Sequence, residues 1–236
     1  MSARLARMPG QSAYRIETAR LLLRCWNPED ASELLRVILA DLVHLRPRLP
    51  WAVHYPMSVE DQMAELRRMR RRFDGDEDYC YGVFDRAGGE LVGGCGLHTR
   101  SGPASRELGY WLRADRWGQG LATELAAALT RVAFEVDQVQ RVDLRCATDN
   151  RRSARVAEKL GLRHEATLRR RINPPGADGA MREAMIFSLV EEEFGDSPAA
   201  RLAAGVRAFD GLGRQLLEEL PPGRAAPPVT RSGPGR

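Results

Sequence analysis

A glycine-containing turn between two regular segments has the composition of a site for a phosphate-bearing ligand. The helical pattern that begins behind it leaves backbone N–H groups without partners at the positive end of the helix dipole. Two glycines and an alanine place no bulky side chain before those groups, so a diphosphate can approach closely. Neither a Walker loop nor a GxGxxG pattern is present, and a purely structural helix start explains the turn equally well. The residues concerned are Trp117, Gly118, Gln119, Gly120, Leu121, Ala122 and Thr123.

Asn150 and Ser153 open a second helical pattern, which Gly161 ends. Asn150 fits a helix N-cap, and Ser153 fits a serine of the first helical turn. Both side chains also carry polar groups that a ligand could use, and the two roles are compatible. The histidines have no metal-ligand spacing, and no metal site is predicted. They are His44, His54, His98 and His164.

Strands and helices alternate irregularly along the chain, which predicts an α/β fold with a mixed sheet. Apolar residues at helical spacing predict helices that start near Asn27 and Ser58, a helix from Leu121 to about Glu135, and a helix over Asn150–Leu160. Gly88-Gly89 and Pro174-Pro175-Gly176 are the expected turns between neighbouring strands. The predicted strands are Ala19–Cys25, Tyr79–Asp85, Glu90–His98, Arg106–Arg113, Arg141–Cys146, Glu165–Arg171 and Ala180–Val190.

The composition excludes several classes of protein. At 236 residues and 43% hydrophobic, the chain can bury a core, and its apolar runs are too short to span a membrane. The net charge of +4 comes from arginines near both ends, so specific nucleic-acid binding is not predicted. No secretory signal is visible, and the cysteines lack paired spacing, so we expect a cytoplasmic protein with reduced thiols. The cysteines are Cys25, Cys80, Cys95 and Cys146.

The C-terminal part has a different pattern from the rest. Ser197-Pro198 is a helix-start signal, and Pro221-Pro222 is a stop signal. We therefore expect a C-terminal appended helix over 195–220 and a disordered tail over 221–236. A helix with one apolar face must dock on its own domain or on another subunit, and a self-complementary homodimer is the favoured option. The apolar residues at helical spacing are Leu202, Val206, Phe209, Leu216 and Leu220.

Three segments together resemble the GCN5-related N-acetyltransferases (the GNAT family), and most of all their ribosomal-protein N-terminal, RimJ/RimL-like branch. They are the strand segment Glu107–Leu112, the turn Trp117–Glu124 and the helix Asn150–Gly161, in this order and at the family's spacing. The loop Leu45–Ala52 fits as well. The resemblance implies a mostly antiparallel sheet flanked by helices. It divides the chain into a flexible N-terminus over 1–13 and an acetyltransferase domain over 14–194, followed by the extra C-terminal helix.

The resemblance implies acetyl-CoA as the co-substrate. The pyrophosphate motif of the family places its small residues at Gly120 and Ala122, whereas its first position, usually Gln or Arg, is Trp117 here. Backbone amides hold the phosphates in this family, so that departure is tolerable. Asn150 is expected to bind the pantetheine arm. The strand residues that are expected to run beside that arm are Tyr110, Trp111 and Leu112.

The expected catalytic residues are Glu107 and Ser153. Some family members have a tyrosine proton donor where this chain has Ala157, and another base of the family aligns with Arg145. The RimL-like branch instead has a serine at the position of Ser153, which could protonate the leaving thiolate. Glu107, on the strand before the turn, is the remaining candidate for the general base.

This residue set predicts direct transfer of an acetyl group to an amine, and it favours a protein or peptide N-terminal α-amine. At pH 7 roughly a tenth of α-amines are neutral, against about 0.04% of lysine side chains, so an α-amine needs less help from a base. Two alternatives stay open. One is acetylation of a small-molecule amine such as an antibiotic or metabolite, and the other is a non-catalytic acyl-CoA-binding sensor or assembly protein.

Overall fold

Ten strands form one sheet in a computed structural model that describes residues 12–172 and 181–217. The strands are β1 (Arg15–Glu17), β2 (Leu21–Cys25), β3 (Tyr79–Asp85), β4 (Leu91–His98), β5 (Ser105–Leu112), β6 (Arg141–Ala147), β7 (Arg163–Ile172), β8 (Arg182–Val190), β9 (Arg207–Phe209) and β10 (Gln215–Leu217). The helices are α1 (Ala31–Leu45), α2 (Val59–Asp74), α3 (Leu121–Glu135), α4 (Arg151–Leu160), α5 (Glu191–Phe194) and α6 (Pro198–Leu202).

The order of the strands across the sheet is β10-β9-β1-β2-β3-β4-β5-β6-β8-β7. Strands β5 and β6 are parallel, and the other neighbouring pairs of described strands are antiparallel. The connection between β5 and β6 contains α3, as a parallel crossover requires. The predicted α/β fold with a mixed, mostly antiparallel sheet is confirmed.

Helices cover both sides of the sheet and divide the core in two. One apolar cluster includes residues of α1, α2 and the sheet, among them Leu66 and Phe84, and we call this the α2 side. The other contains most of α3 and α4, among them Leu125 and Ala157, and we call this the α3 side. Side chains alternate between the two sides along each strand, because successive residues of a strand point to opposite faces.

Local signals in the sequence account for most element ends. The Ser58 hydroxyl accepts a hydrogen bond from the backbone N–H of Asp61 at 3.0 Å and caps α2. Gly161 ends α4 with a φ of +79°. In the β3–β4 hairpin, Gly89 has a φ of +69°, which a residue with a side chain rarely adopts. The expected turn at Pro174-Pro175-Gly176 lies outside the described residues.

The expectation of one helix over 195–220 is wrong for the described part of that segment. Helix α6 ends at Leu202, and β9 and β10 then extend the sheet beside β1. The Asp210 carboxylate accepts hydrogen bonds from the backbone N–H groups of Leu212 and Arg214 at 2.9 and 2.8 Å. Turns in which an aspartate side chain accepts backbone hydrogen bonds compete with helix formation. Gly213, in the same turn, has a φ of +79°.

The apolar residues of this segment do not form an exposed stripe. Val206 and Ala208 are buried on their own chain, while Leu202 is 52% exposed. The Arg131 guanidinium of α3 donates to the backbone oxygens of Ala203 and Val206 at 3.1 and 3.2 Å and fixes the segment to the domain. The argument for a homodimer therefore loses its basis, since the described residues of this segment form no apolar stripe that needs a partner. Leu220 lies outside the described residues.

Two further expectations concern thiols and membranes. Cys25, Cys80, Cys95 and Cys146 are all unpaired, and all but the half-buried Cys80 are buried, as predicted for core thiols. Within the described ranges, no helix combines the length and the apolar character that a bilayer crossing requires.

Candidate active site

The sheet opens into a fork between its two parallel strands. Strands β5 and β6 pair from Ser105 with Arg141 to Leu108 with Leu144, and the pairing stops there. Beyond this point Gly109–Leu112 still pairs with β4, and Arg145–Ala147 still pairs with β8. The two half-sheets thus separate at Leu108, and each presents one strand edge to the gap. Backbone groups along such an edge can pair with an extended ligand.

The glycine turn lies at the open end of β5 and has the geometry of an anion site. Gly118 and Gly120 have φ values of +77° and +79°, which glycine adopts without strain. A Cβ atom at Gly118 would meet nothing within 4 Å, and one at Gly120 would meet only Arg20 Nη2, at 3.6 Å. Gly120 is the N-cap of α3, so the N–H groups of Leu121 and Ala122 have no acceptor within the helix. These features fit a diphosphate group.

Trp117 fixes this turn to the strand. Its indole N–H donates to the backbone oxygen of Leu112 at 2.9 Å. The Arg152 guanidinium, from the first turn of α4, lies 4.2 Å from the centre of the Trp117 ring and so links the two sides of the fork. At Gln119 the backbone oxygen accepts a hydrogen bond from Arg20 Nη1 at 2.8 Å. The tryptophan at the first motif position therefore has a structural role in the turn.

Asn150 and Ser153 lie on the opposite side of the fork, at the start of α4. The Asn150 side-chain oxygen accepts a hydrogen bond from the Ser153 backbone N–H at 3.3 Å and caps the helix. Among the described residues, the side-chain hydrogen bond of Asn150 uses only this oxygen, which leaves the amide N–H₂ as a donor for a ligand. The Ser153 hydroxyl lies 3.0 Å from the hydroxyl of Tyr110 on β5. A serine and a tyrosine hydroxyl thus meet across the fork on the α3 side.

Burial sets the protonation of the groups around Ser153. It raises the pKa of the Tyr110 phenol well above its ordinary value, although the hydrogen bond with Ser153 lowers it. Burial also raises the pKa of the Cys146 thiol to about 11, again against a hydrogen bond with Ser153. Both neighbours are consequently protonated at neutral pH, and each can donate to the Ser153 oxygen or accept from it.

Glu107 lies on the α2 side of the sheet, away from Ser153. It is 8% exposed, with Arg100 Nη2 3.5 Å from its Oε1 and Arg145 Nη2 3.6 Å from its Oε2. No described residue forms a hydrogen bond with Oε2. The two residues expected to be catalytic are therefore on opposite faces of the sheet, with the fork between them.

On the α2 side of the fork, glycines leave room for the rings of neighbouring residues. Cβ atoms at Gly94 and Gly96 would lie 2.7 Å from Trp111 Nε1 and 2.9 Å from His98 Cε1. The ring of Trp51, from the loop between α1 and α2, has its centroid 6.0 Å from that of Trp111. The loop between α1 and α2 thus contacts the end of β5 on the α2 side.

Sequence reasoning missed His98 at this site. Across the β4–β5 pair His98 lies directly opposite Glu107, and directly opposite residues share a face. The signal in the sequence was the run of glycines at 93, 94 and 96, which provides room for a ring near this strand. That signal has meaning only once the register with β5 is known.

The structure brings most of the expected residues to the fork. Trp111 and Leu112 end β5, whereas the side chain of Leu121 is buried in the core, which leaves only its backbone for a ligand. Glu107 lies on the α2 side of the sheet, away from Ser153. The expected residues that border the fork or its turn are Tyr110, Trp111, Leu112, Trp117, Gly118, Gln119, Gly120, Leu121, Ala122, Thr123, Asn150 and Ser153.

Several known proteins with similar sequences or folds are named as acetyltransferases. The uncharacterized N-acetyltransferase YoaA of Bacillus subtilis is 24% identical over 177 residues, which are 75% of this chain and 96% of the relative. RimJ of Mycobacterium smegmatis, solved in complex with CoA-disulfide, is 26% identical with a TM-score of 0.66, over 78% of this chain and 88% of RimJ.

The ribosomal alpha-N-protein acetyltransferase RimL, solved in complex with coenzyme A, shares the fold. Its TM-score is 0.66 at 19% identity, over 73% of this chain and 95% of RimL. The family of the acetyltransferase (GNAT) domain matches residues 20–163, which include the fork, the glycine turn and α4. The chain therefore belongs to the GNAT acetyltransferase family and is an acyltransferase enzyme.

Proposed function

We propose that this enzyme transfers the acetyl group of acetyl-CoA to the α-amine at the N-terminus of a protein or peptide. The observation that carries this proposal is the fork itself. It separates at Leu108, leads to the free N–H groups at Gly120, and has hydroxyl groups on one side and Glu107 with His98 on the other. An extended thioester on one side and an amine on the other can meet in such a gap.

On this proposal the chain's own groups hold acetyl-CoA, which supplies the activated acetyl thioester when it is bound. The amides at Gly118–Ala122 receive the diphosphate, and the edge of Tyr110–Leu112 pairs with the pantetheine arm. The Asn150 amide, whose oxygen already caps α4, donates to that arm. A backbone N–H of Tyr110–Leu112 that faces the thioester oxygen stabilises the negative charge that develops there.

Ser153 is the proposed donor of the proton that the departing sulfur takes up. Its hydroxyl has a protonated phenol 3.0 Å away at Tyr110, which can replace the proton that Ser153 gives up. Both groups lie on the α3 side of the fork, as does the start of α4. This arrangement supports loss of the thiol on that side.

Two considerations favour an α-amine as acceptor. An α-ammonium group has a pKa of about 8 and loses its proton far more readily than a lysine side chain, at about 10.4. RimL, which shares the fold, is named as an alpha-N-protein acetyltransferase. The cytoplasmic location expected from the sequence belongs to this proposal, and the four unpaired thiols support it.

Release of thiol from acetyl-CoA tests this function. The acceptors are a synthetic peptide panel with free N-termini, the same peptides with blocked N-termini, and a panel of small amines. The proposal predicts release with free N-termini only. Release with the small amines alone would identify a small-molecule acetyltransferase. Acetyl-CoA binding without release in any reaction would identify a non-catalytic sensor or assembly protein.

A further inference from the structure

Asp78 and His98 form a hydrogen-bonded pair on the α2 side of the sheet. His98 Nδ1 lies 2.9 Å from Asp78 Oδ1, and the Asp78 side chain is 11% exposed. Although burial raises the pKa of Asp78, its hydrogen bond with His98 and the charges of Arg72 and Arg100 bring that pKa below the ordinary value. Asp78 is therefore ionised at neutral pH and accepts the proton of Nδ1, so that His98 in its neutral form carries its lone pair on Nε2.

The free nitrogen of His98 lies at the fork. A Cβ atom at Gly109 would lie 2.7 Å from His98 Nε2, so the imidazole is directly over that glycine. Gly109 is the residue after Leu108, the last residue of β5 that pairs with β6. In the described part of the chain no residue forms a hydrogen bond with Nε2. The lone pair of His98 is thus free at the point where the two half-sheets separate.

The position of His98 is complementary to that of Ser153. Tyr110, which follows Gly109, packs on the α3 side, and its hydroxyl meets that of Ser153 there. His98 and Gly109 lie on the α2 side, because they occupy the opposite face of the same strands. A proton acceptor and a proton donor therefore flank the fork from its two faces.

The neighbours of His98 favour a proton acceptor over a metal ligand. Asp78, Cys80 and His98 place one ligand atom each within 4.8 Å of one another. Burial raises the pKa of the Cys80 thiol to about 12, and Arg72 Nη2 lies 3.3 Å from Asp78 Oδ2, so a cation would find a thiol and a guanidinium there. The charged and titratable groups near the imidazole are Arg72, Asp78, Cys80, Arg100 and Glu107.

Glu107, the base expected from the sequence, is less available to accept a proton than Nε2 of His98. Its two carboxylate oxygens each have a guanidinium group within 3.6 Å, from Arg100 and Arg145. The carboxylate lies opposite His98 across the β4–β5 pair. It can attract an ammonium group to the α2 side without taking a proton from it.

We propose that His98, held by Asp78, accepts the proton of the attacking amine through Nε2. This inference rests on the proposed function, acetyl transfer at the fork. The ammonium group loses one proton to Nε2, which passes it to solvent. The nitrogen lone pair then forms the N–C bond as the C–S bond breaks, and the sulfur keeps the electron pair of that bond. The nitrogen then loses its second proton to Nε2, which again passes it to solvent, while the sulfur gains a proton from Ser153 and Ser153 regains one from solvent through Tyr110. The products are an N-acetyl amide, coenzyme A and one proton released to solvent.

The proposal also limits the acceptor. A neutral imidazole is a base suited to a group that loses its proton near pH 8, and it is poorly matched to a lysine side chain near 10.4. The Asp78–His98 pair thus makes the site selective for amines of low basicity, to which N-terminal α-amines belong.

Variants of the pair test the proposal with the best acceptor of the peptide and amine panels as the probe. His98→Gln and Asp78→Asn should lower kcat by about 100-fold or more, as loss of a general base does. Acetyl-CoA affinity, measured by calorimetry, should stay within about twofold. His164→Gln is the matched control, since His164 is exposed on β7 and bonds to Thr167. It should have wild-type kcat.

The pH profile and chemical rescue separate a proton acceptor from a structural residue. In the wild type, kcat/KM should fall on the acid side of the pH profile, where the proton acceptor becomes protonated, and His98→Gln should lack that limb. Added imidazoles should restore activity to His98→Ala, and more basic ones should restore more. Wild-type kcat in folded His98→Gln, or an unchanged acid limb, overturns the role of His98. A wild type that binds acetyl-CoA but acetylates no amine contradicts the proposed function itself.

Discussion

The hydroxyl groups of Tyr110 and Ser153 lie 3.0 Å apart and join strand β5 to helix α4 across the gap in the sheet. Because β5 and β6 no longer pair at this point, the contact is made by side chains where a sheet would have backbone hydrogen bonds. The pair lies on the α3 side, where the thiol of the co-substrate is proposed to leave. Its two hydroxyls can act as one donor unit.

Removal of these hydroxyls should slow the chemical step. Ser153→Ala should lower kcat about tenfold or more and leave acetyl-CoA affinity within about twofold, because the proposed role concerns the leaving group. Tyr110→Phe should lower kcat less, and the double variant should lose little beyond Ser153→Ala, since the two groups act together. Steady-state kinetics and calorimetry provide the measurements. If the turnover of Ser153→Ala stays within about twofold of wild type, Ser153 has only a structural role at the start of α4.

Gly120→Glu should abolish most acetyl-CoA binding. The new carboxylate would stand before the free N–H groups at the start of α3 and repel a diphosphate, which should weaken binding by about 100-fold. Gly89→Glu is the matched control, because Gly89 also has a positive φ and its Cβ would meet nothing within 4 Å, but it lies in the β3–β4 hairpin. Both variants have the same backbone strain and charge. Equal affinities in calorimetry would refute the diphosphate assignment.

Asn150→Asp should separate the two roles of Asn150. Aspartate caps a helix about as well as asparagine, so the free energy of unfolding should change by less than about 0.5 kcal/mol. The amide donor is lost, however, and acetyl-CoA affinity should fall by about tenfold, as one lost hydrogen bond implies. Asn150→Ala should lose both stability and affinity. If Asn150→Asp binds acetyl-CoA as well as wild type does, Asn150 is a cap only.

Glu124 should stabilise the fold in a pH-dependent way. Its carboxylate accepts hydrogen bonds from Thr18 Oγ1 at 2.6 Å and from Arg20 N at 2.9 Å. Burial raises the pKa of Glu124, but these hydrogen bonds and the Arg20 side chain outweigh it, so the pKa lies below the ordinary value. A lowered pKa in the folded state gives stability that is present above the unfolded-state pKa and is lost as pH falls through the folded-state value.

Glu124→Gln should therefore cost about 1–2 kcal/mol of unfolding free energy at pH 7, and the difference from wild type should shrink in acid. Urea unfolding at several pH values measures it. Glu65→Gln is the control. Glu65 forms an exposed ion pair with Arg68, so its substitution should change the free energy of unfolding little. A difference that is constant with pH would contradict the role of the ionised carboxylate.

Local signals made much of the fold predictable, and long-range pairing limited the rest. The helices at Ser58 and Asn150 have their caps in the sequence, and the structure has them there. The three-residue strands β1, β9 and β10 have no pattern of their own, and they exist because they pair with each other. Apolar residues such as Val206 and Phe209 matched a helical period by spacing alone, while Asp210 and Gly213 set a turn between β9 and β10.

The residues of the site likewise comprise some that the local sequence indicates and others that only the strand pairing brings together. The turn at Gly120 and the helix start at Asn150 are contiguous in sequence, so their residues could be identified from it. His98 comes to the fork only through the register that sets Gly96 opposite Gly109, and Asp78 reaches it from the segment before β3. The glycines at 93, 94 and 96 leave room for a ring near His98, but without that register they indicate neither contact.

Acetylation of one peptide pair tests the central claim most directly. One peptide has a free N-terminus and no lysine, and the other has the same sequence with a blocked N-terminus and one added lysine. Each is incubated with the enzyme and acetyl-CoA, and tandem mass spectrometry locates the product. The account predicts an acetyl group on the α-nitrogen of the first peptide and no product from the second. Acetylation of the lysine peptide with none of the free N-terminus would contradict it.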